Sequence, residues 1–298
     1  MIGCMIDLAN ADTFMATHAR LLDRRRLAVL LGREEPAGLL AALSAYRNPD
    51  GGFGWGLEAD QRTPSSQPAG ALHAFEVLEE AAPATSPMGA ALCDWLATAA
   101  LPGGGLPFSL AGAAGPGTAR WWASADPAVP SLHITAAIAG HALRAAAHDP
   151  AIARHPWLAR VTDWTLERIA AQQRPGHAYE LKYVLQFLDA ALDARPQAAA
   201  LMERAAASVP ASGELAVEGG VEGEKLRALE IAPLPDRPLR DLMPAGTIAR
   251  QLDELEARQQ PDGGWTVDFP SSSPAATLEW RGVATVLALI TLRANRRA

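Results

Sequence analysis

The sequence predicts an all-α protein, built as an α/α toroid of about six helical hairpins. A glycine turn that recurs along the chain indicates repeated supersecondary units. The helical segments between the turns alternate between amphipathic ones and ones that are apolar nearly all round, and a helix without a polar face is buried. This alternation favours an outer and an inner ring of helices over an irregular all-α globule or a solenoid. Because stacked units share one core, residues 1–298 are predicted to form a single domain.

The most specific repeat is a Pro-Asp-Gly-Gly turn with an aromatic residue directly after it. It occurs at 49–53, ending in Phe53, and again at 261–265, ending in Trp265. Proline presets φ, aspartate bonds back to the backbone, and glycine accepts a positive φ without steric cost. A Gly/Pro-rich insert at 110–130 lengthens one of the units. Weaker copies share the spacing, and the glycines at the equivalent position are Gly51, Gly104, Gly176, Gly213 and Gly263.

Segments rich in Ala, Leu, Arg and Glu, broken by Gly and Pro, predict the helices, and strand signals are nearly absent. The segment 246–260 has one apolar stripe, whereas 131–147 and 283–292 are apolar nearly all round. Segments of the first kind lead into a glycine turn, and segments of the second kind follow one. The predicted helices are 12–31, 36–47, 67–81, 87–99, 131–147, 156–172, 178–193, 197–208, 221–230, 246–260 and 275–294.

Composition excludes several classes of function. Hydrophobic residues make up 49% and charged residues 20%, which suits a chain with a large core. The net charge of -7 argues against nucleic acid as a partner. Two cysteines, Cys4 and Cys93, cannot form a disulfide framework, which predicts a reducing, cytoplasmic location. Asp7 and Asp12 stand where a signal peptide carries positive charge, so no export signal is predicted. No apolar stretch reaches spanning length without a charge, so a soluble protein is predicted, and membrane contact has no sequence support.

The pattern Gln259-x-x-x-Gly263-x-Trp265 resembles the Gln-Trp repeat of the terpenoid cyclase and protein prenyltransferase superfamily. Residues 47–53 are similar to a diverged copy that begins with Arg47. Members of this superfamily share the α/α toroid. The resemblance implies that the glutamine caps a helix end and stacks on the aromatic residue, so the turn residues themselves are expected to be scaffold.

The sequence also departs from the superfamily. It contains no Asp-x-Asp-Asp motif, with which the acid-initiating cyclases begin. Neither Cys4 nor Cys93 begins a helix after a turn, so the thiolate zinc site of the prenyltransferases is not expected. Residues 253–256 only faintly resemble an acidic metal box. No metal and no other cofactor is predicted, because phosphate-cradling, dinucleotide and hydrolase motifs are absent as well.

In a toroid, the turn after each outer helix delivers the chain to the mouth of the central cavity. Helix N-termini gather there, and their amide groups favour anions. The stretch 55–67 is too long for a plain connection and too polar for a core, and it contains Glu58, Asp60 and Arg62. The alternative interpretation is a serine N-cap ahead of the helix that starts at Pro68.

Other polar and aromatic residues follow the remaining turns. Trp121 and Trp122 are expected either to line a cavity or to plug the toroid. His133 and His141 lie eight residues apart on one helix and are expected to be core histidines rather than metal ligands. The candidate substrate-binding residues are Trp55, Arg62, Gln67, His73, Trp121, Trp122, His133, His177, Glu180, Glu279 and Trp280.

The resemblance and these residues together predict a terpenoid-cyclase-like enzyme. It would bind an apolar isoprenoid in the central cavity and start cyclisation by protonating an alkene or epoxide. Asp60 is the candidate acid, with Glu58 or Asp126 next, because burial keeps such a carboxyl group protonated. Tryptophans at the mouth would shield the carbocation. The expected partner is an apolar small molecule, and the oligomeric state is not predicted.

Two alternatives stay open. A carbohydrate-active toroid would use Asp60 with Glu180 or Glu279 as its pair of carboxylates. A non-catalytic binding or scaffold protein would retain the repeats and lack the catalytic motifs. An open apolar pocket with a carboxyl group at its end favours an enzyme, whereas a filled toroid favours a scaffold.

Overall fold

The computed structural model describes residues 6–174 and 176–298, so Cys4 lies outside the described residues. The chain is mostly helical, which confirms the all-α prediction. The elements are α1 (Leu8–His18), α2 (Leu21–Leu30), α3 (Pro36–Ser44), α4 (Pro68–Glu80), α5 (Pro87–Ala99), α6 (Arg120–Ala123), α7 (Leu132–Ala146), α8 (Pro150–Ala153), α9 (Pro156–Ala171), α10 (Ala178–Ala191), α11 (Ala198–Ala206), β1 (Glu214–Ala216), β2 (Lys225–Arg227), α12 (Ala228–Ile231), α13 (Pro238–Asp241), α14 (Thr247–Ala257) and α15 (Pro274–Ala294).

The segment 12–31, predicted as one helix, belongs to two helices in the structure. Ala19 and Arg20 leave helical backbone between α1 and α2. The Arg20 guanidinium donates to the carbonyls of Gly56 and Leu57, at 3.2 and 3.0 Å. The break is therefore tied to a contact distant in sequence.

The helix predicted at 221–230 is wrong in its first half. β1 and β2 form an antiparallel hairpin in which Glu214 pairs with Arg227, and α12 adds only one helical turn after it. Gly219 and Gly223, between the strands, have φ values of 77° and 84°. A positive φ is incompatible with a right-handed helix, so these glycines turn the chain back on itself.

Three copies of the predicted turn have the same geometry. Gly51, Gly104 and Gly263 have φ values of 94°, 99° and 92°. The amide of each glycine donates to the carbonyl three residues earlier, and that earlier residue donates to the carbonyl just after the glycine. Asp50 and Asp262 each accept a hydrogen bond from the amide two residues on, at 2.9 and 3.2 Å. The predicted turn chemistry is confirmed at these positions.

The two weaker copies are different. Gly213 also has a positive φ, of 68°, and its amide donates to the carbonyl of Pro210. Pro210 has no amide hydrogen, so the second hydrogen bond of the turn cannot form. Gly176 follows Pro175, which lies outside the described residues.

An aromatic ring from the following unit covers the second glycine of each complete turn. A Cβ atom on any of these glycines would overlap the ring, so the close approach requires glycine. In the first two turns, the ring comes from the helix that leads into the next turn. In the last turn, the ring comes from α1, at the beginning of the chain, so α1 takes the place of the next unit. The pairs are Gly52 with Trp95 of α5, Gly105 with Trp164 of α9, and Gly264 with Phe14 of α1.

Contacts between helices form a closed series. α2 contacts α4, α4 contacts α7, α7 contacts α10, and α10 contacts α12. The series continues from α12 to α14 and from α14 to α15, and α15 returns to α2. α5, α9 and α11 pack on one another and against members of this series. Phe75, Ile138 and Phe187, on α4, α7 and α10, lie in the main hydrophobic core.

Among the described helices, α15 is long and apolar enough to cross a membrane, judged by length and composition alone. In its most apolar window, 44% is buried inside the protein. The helix packs against α1, α2 and α14. A core helix meets the same two criteria, so they do not assign α15 to a membrane.

Candidate functional site

A cavity of about 410 Å³ lies among α4, α7, α10, α12, α14 and α15. Its wall is mainly apolar, and α15 forms one long side. Trp280 of α15 and Phe269 meet edge to face in this wall, with ring centroids 5.3 Å apart. This volume is typical of sites for small molecules. The apolar residues of the wall include Leu226, Leu229, Ile231, Leu255, Val267, Val283, Ala284, Leu287 and Ala288.

Helix α4 presents a charged stripe to the cavity. Pro68 occupies the first turn of the helix, where its missing amide hydrogen costs nothing. Side chains three or four positions apart share one face of a helix. His73, Glu76, Glu79 and Glu80 follow this spacing and all border the cavity. The opposite side of α4 is apolar and buried.

His73 is held between two carboxylates. Its Nε2 lies 2.8 Å from Glu58 Oε2, and its Nδ1 lies 2.8 Å from Glu76 Oε2. Burial acts to lower the pKa of His73, but the two carboxylates outweigh burial and raise the pKa to about 10. The charged imidazolium therefore donates from both nitrogens at neutral pH. Burial opposes ionisation of Glu76 too, yet His73 holds the pKa of Glu76 well below its usual range.

The other two carboxylates of the stripe are also paired. Glu79 lies 2.9 Å from Arg144 Nε and 2.8 Å from His141 Nδ1. Burial acts to raise the pKa of Glu79, but Arg144 and His141 together lower it. Glu80 accepts two hydrogen bonds from the Arg26 guanidinium, at 2.7 and 2.6 Å. Each carboxylate of the stripe therefore has a cationic partner.

Asp60, the candidate acid, is 1% exposed and touches the cavity wall through Trp280. Its Oδ2 accepts from Trp280 Nε1 and its Oδ1 accepts from the Ser272 amide, both at 2.7 Å. Glu58 lies beside it, with Oε1 accepting from the Asp60 amide at 2.9 Å. Asp60 and Glu58 therefore lie directly behind Trp280 and His73, two residues that border the cavity.

Other residues predicted in the first polar stretch hold loops together. Arg62 pairs with Glu279 at 2.6 Å, which joins the stretch to α15. Gln67, rather than a serine, is the N-cap residue of α4, and its Oε1 accepts from the Leu110 amide at 2.9 Å. Trp55 is 59% exposed and lies at the surface. These contacts fix the loops around Asp60.

The residues predicted in the Gly/Pro-rich insert divide between surface and core. Asp126 is exposed and accepts from the Ala128 amide at 2.9 Å. Trp121 is 47% exposed, whereas Trp122 is buried and stacks on Phe108 with ring centroids 4.2 Å apart. None of Asp126, Trp121 and Trp122 is among the described residues that border the cavity.

His133 lies inside an aromatic cluster. Its ring centroid is 5.3 Å from that of Phe108, 5.2 Å from that of Tyr183 and 5.1 Å from that of His177. Burial lowers the pKa of His133 to about 3, and the nearby His177 and Lys182 act in the same direction. His133 is therefore neutral at physiological pH and packs as an aromatic ring.

The two partners predicted for Asp60 in a carbohydrate site are engaged elsewhere. Glu180 accepts from the Gly176 amide at 2.7 Å, and its own amide donates to His177 Nδ1 at 3.3 Å, at the start of α10. Glu279 is taken up by its ion pair with arginine. Neither glutamate is among the described residues that border the cavity.

Sequence reasoning missed three polar residues that border the cavity, Glu76, Glu79 and Arg144. Lys182 and Tyr183 of α10 border it as well; both lie in the polar stretch that follows the Gly176 turn, but neither was among the predicted site residues. The available signal was the row of carboxylates at helical spacing on a segment that is otherwise apolar. Such a row in a buried helix has to face either a cavity or a set of cations.

Metal chemistry receives no support from the described side chains. Within residues 6–174 and 176–298, no group of three or more His, Cys, Asp or Glu is arranged to hold a metal ion. Cys93 is buried, and burial raises the pKa of its thiol to about 12, so it is not a thiolate at neutral pH.

The sequence matches no model of a known protein family, and it matches no curated protein. The resemblance to the terpenoid cyclase superfamily therefore depends on the turn repeats alone.

Proposed function

We propose that the helices form an α/α toroid and that the protein binds an apolar, isoprenoid-like molecule in the cavity, as terpenoid cyclases do. The closed series of helix contacts supports the toroid. So does the docking of the last glycine turn on α1 through Phe14, which repeats the docking of the earlier turns. The paired inner and outer helices of the sequence prediction supply the remaining support.

The observation that carries the binding proposal is the cavity itself. It measures about 410 Å³ and has a mainly apolar wall, which suits a small apolar molecule rather than a macromolecule. Trp280, Phe269 and Tyr183 offer aromatic surface to such a ligand. A sugar would instead require polar groups free to bind its hydroxyls. The ion pairs along α4 occupy most of the polar groups on that side.

Acid-initiated cyclisation is the chemistry we propose for a bound isoprenoid. Asp60 is one hydrogen bond from Trp280, so this candidate acid adjoins the cavity wall. Glu58 also adjoins the wall, but it accepts a hydrogen bond from the charged His73 imidazolium, so a proton for the ligand would have to come from the Glu58–His73 pair. The indole face of Trp280 would stabilise a carbocation formed beside it. Asp126 is exposed on the insert and is not proposed as the acid.

Binding without catalysis is the second candidate, and one observation favours it. Both oxygens of Asp60 already accept hydrogen bonds, from Trp280 and from the Ser272 amide. To donate a proton to a ligand, the Asp60 carboxyl group would have to break one of these contacts. A structural role for Asp60, positioning Trp280, requires no such change.

One experiment separates the two candidates. The purified protein is titrated with farnesol and with oxidosqualene, with intrinsic tryptophan fluorescence as the measure of binding, and the mixtures are then searched for cyclised products. Saturable binding with product supports the enzyme, and binding without product supports the carrier. If neither compound binds, the proposed function is wrong.

The variant Asp60→Asn tests the acid. Asparagine keeps the shape of the side chain but cannot accept both N–H groups, so Trp280 should shift as well. Turnover that survives in Asp60→Asn excludes Asp60 as the acid, and Glu58→Gln then tests the second carboxyl group. Asp126→Asn is the matched surface control and should behave as the unmodified protein.

A further inference from the structure

One cation that borders the cavity lacks the partner that the others have. Lys182 makes no ion pair and no hydrogen bond with any described residue, and its Nζ lies 5.1 Å from the centroid of the Tyr183 ring. By contrast, each arginine of the cavity wall binds a carboxylate within the described residues. These pairs are Arg144 with Glu79, Arg227 with Asp268, Arg237 with Asp189 and Arg258 with Asp268.

A second unpartnered polar group lies next to Lys182. The hydroxyl of Tyr183 makes no hydrogen bond with the described residues, although Tyr183 borders the cavity. Burial raises the pKa of Tyr183, so its hydroxyl stays protonated and is available as a donor. The neighbouring Tyr179 differs, because its hydroxyl donates to Glu224 at 3.1 Å.

We propose that Lys182 and Tyr183 bind the carboxylate of an apolar monocarboxylic acid, which is the ligand of the cavity. This proposal rests on the proposed binding function and specifies its ligand. Lys182 and Tyr183 are both half-buried, so the ammonium and hydroxyl groups are accessible from the cavity and an anion bound there can replace their water. One ammonium and one hydroxyl provide a single positive charge and a hydrogen-bond donor, which match a monoanion.

The charged groups of the cavity wall make a diphosphate ester an unfavourable ligand. A diphosphate carries several negative charges and requires several cations or a metal ion. The arginines of the wall are already engaged with carboxylates, and the described residues contain no cluster suited to a metal. Among the residues that the structure describes, the wall therefore has one available cation, and the ligand is expected to be an acid with an isoprenoid-like body.

The test compares farnesoic acid with farnesol, two molecules that share one isoprenoid chain and differ in the terminal group, a carboxylate or a hydroxyl. The protein should bind farnesoic acid roughly 10- to 100-fold more tightly, the range expected for one charge-assisted hydrogen bond. Lys182→Met should remove this preference and leave farnesol binding intact. Lys182→Arg should retain most of the preference for farnesoic acid, and Tyr183→Phe should reduce this preference. Farnesyl diphosphate should bind less tightly than farnesoic acid.

Lys225→Met is the matched control, because Lys225 is the only other lysine of the chain and borders the same cavity, but already pairs with Glu214 at 2.8 Å. Its preference for farnesoic acid should equal that of the unmodified protein. If farnesol binds but the acid binds no better, the carboxylate site is wrong while the cavity proposal stands. If neither compound binds, the proposed function itself fails.

A labelling experiment tests the contact between Lys182 and the carboxylate in the unmodified protein. Two lysines allow amine-directed acetylation to be followed residue by residue with mass spectrometry. Farnesoic acid should slow acetylation of Lys182 more than acetylation of Lys225, which borders the same cavity but is already paired with Glu214. Farnesol should protect Lys182 less than farnesoic acid does. Equal labelling of Lys182 with and without the acid would overturn the proposal.

Discussion

Gln259 binds both backbone groups of Asp7, a residue that lies 252 positions earlier in the chain. Its Oε1 accepts from the Asp7 amide and its Nε2 donates to the Asp7 carbonyl, each at 2.9 Å. The same Nε2 also donates to the carbonyl of Gly263, at 3.0 Å. One side chain therefore joins the last glycine turn to the start of α1.

Gln259→Ala should destabilise the protein by about 1–3 kcal/mol, because its three hydrogen bonds each contribute about 0.5–1.5 kcal/mol and overlap in part. Urea unfolding followed by circular dichroism measures the loss. Gln260→Ala is the control, since the Gln260 side chain makes only one hydrogen bond among the described residues, to the Arg258 carbonyl. Equal losses in the two variants would contradict the closing role of Gln259.

Gly105→Ala should cost about 1–3 kcal/mol of unfolding free energy, because the new methyl group would overlap the Trp164 ring. Gly103→Ala provides the matched control, as a Cβ atom there meets nothing within 4 Å. Thermal unfolding of the two variants side by side measures the difference. A control that loses as much stability as Gly105→Ala would show that the ring contact is not the cause.

The stability of the protein should fall between about pH 6.5 and pH 10. The pKa of His73 rises from 6.5 to about 10 on folding, so the folded state retains a proton that the unfolded state loses in this range. The contribution of His73 is complete below pH 6.5 and disappears as the pH approaches 10. Urea unfolding of the unmodified protein and of His73→Gln across this range measures it.

His73→Gln should flatten the pH dependence, whereas His148→Gln, at an exposed position, should not change it. The comparison removes the effects of all other titrating groups, since these are common to the variants. A slope that survives in His73→Gln would assign the pH dependence to another residue.

Ala284→Phe should fill part of the cavity and abolish ligand binding while the helix stays intact, because Ala284 borders the cavity on α15. Ala275→Phe, exposed near the start of the same helix, should bind the ligand normally. Fluorescence titration with farnesol measures both. Normal binding by Ala284→Phe would place the ligand somewhere other than the cavity.

The features that could be predicted from the sequence are those set by local chemistry. The Pro-Asp-Gly-Gly turns at 49–52 and 261–264 form because proline, aspartate and glycine each fix one part of the same backbone geometry. The mostly apolar character of α7 and the amphipathic character of α14 were predicted from the residue pattern alone. The break between α1 and α2 could not be predicted, because Arg20 finds its acceptors in the distant carbonyls of Gly56 and Leu57.

The candidate site could be predicted only in part, for the same reason. Asp60 and Trp280 were both selected from the sequence, but their hydrogen bond joins residues 220 positions apart. Lys182 follows the Gly176 turn but was not selected as a site residue, because its importance lies in the absence of a partner among the described residues. No local pattern reveals which lysine will be left without a carboxylate.

The seat of Phe14 on Gly264 has a consequence for synthesis on the ribosome. The chain is made from its N-terminus, so α1 emerges long before the turn at 261–264 exists. The Phe14 side chain therefore stays exposed to water, or bound to a chaperone, until roughly 250 more residues have been translated. Earlier glycine turns can pack against the unit that follows them as the chain emerges. The contact between Phe14 and Gly264 can form only near the end of translation. Nascent chains of this protein are expected to aggregate before this contact forms, while the Phe14 side chain is still exposed.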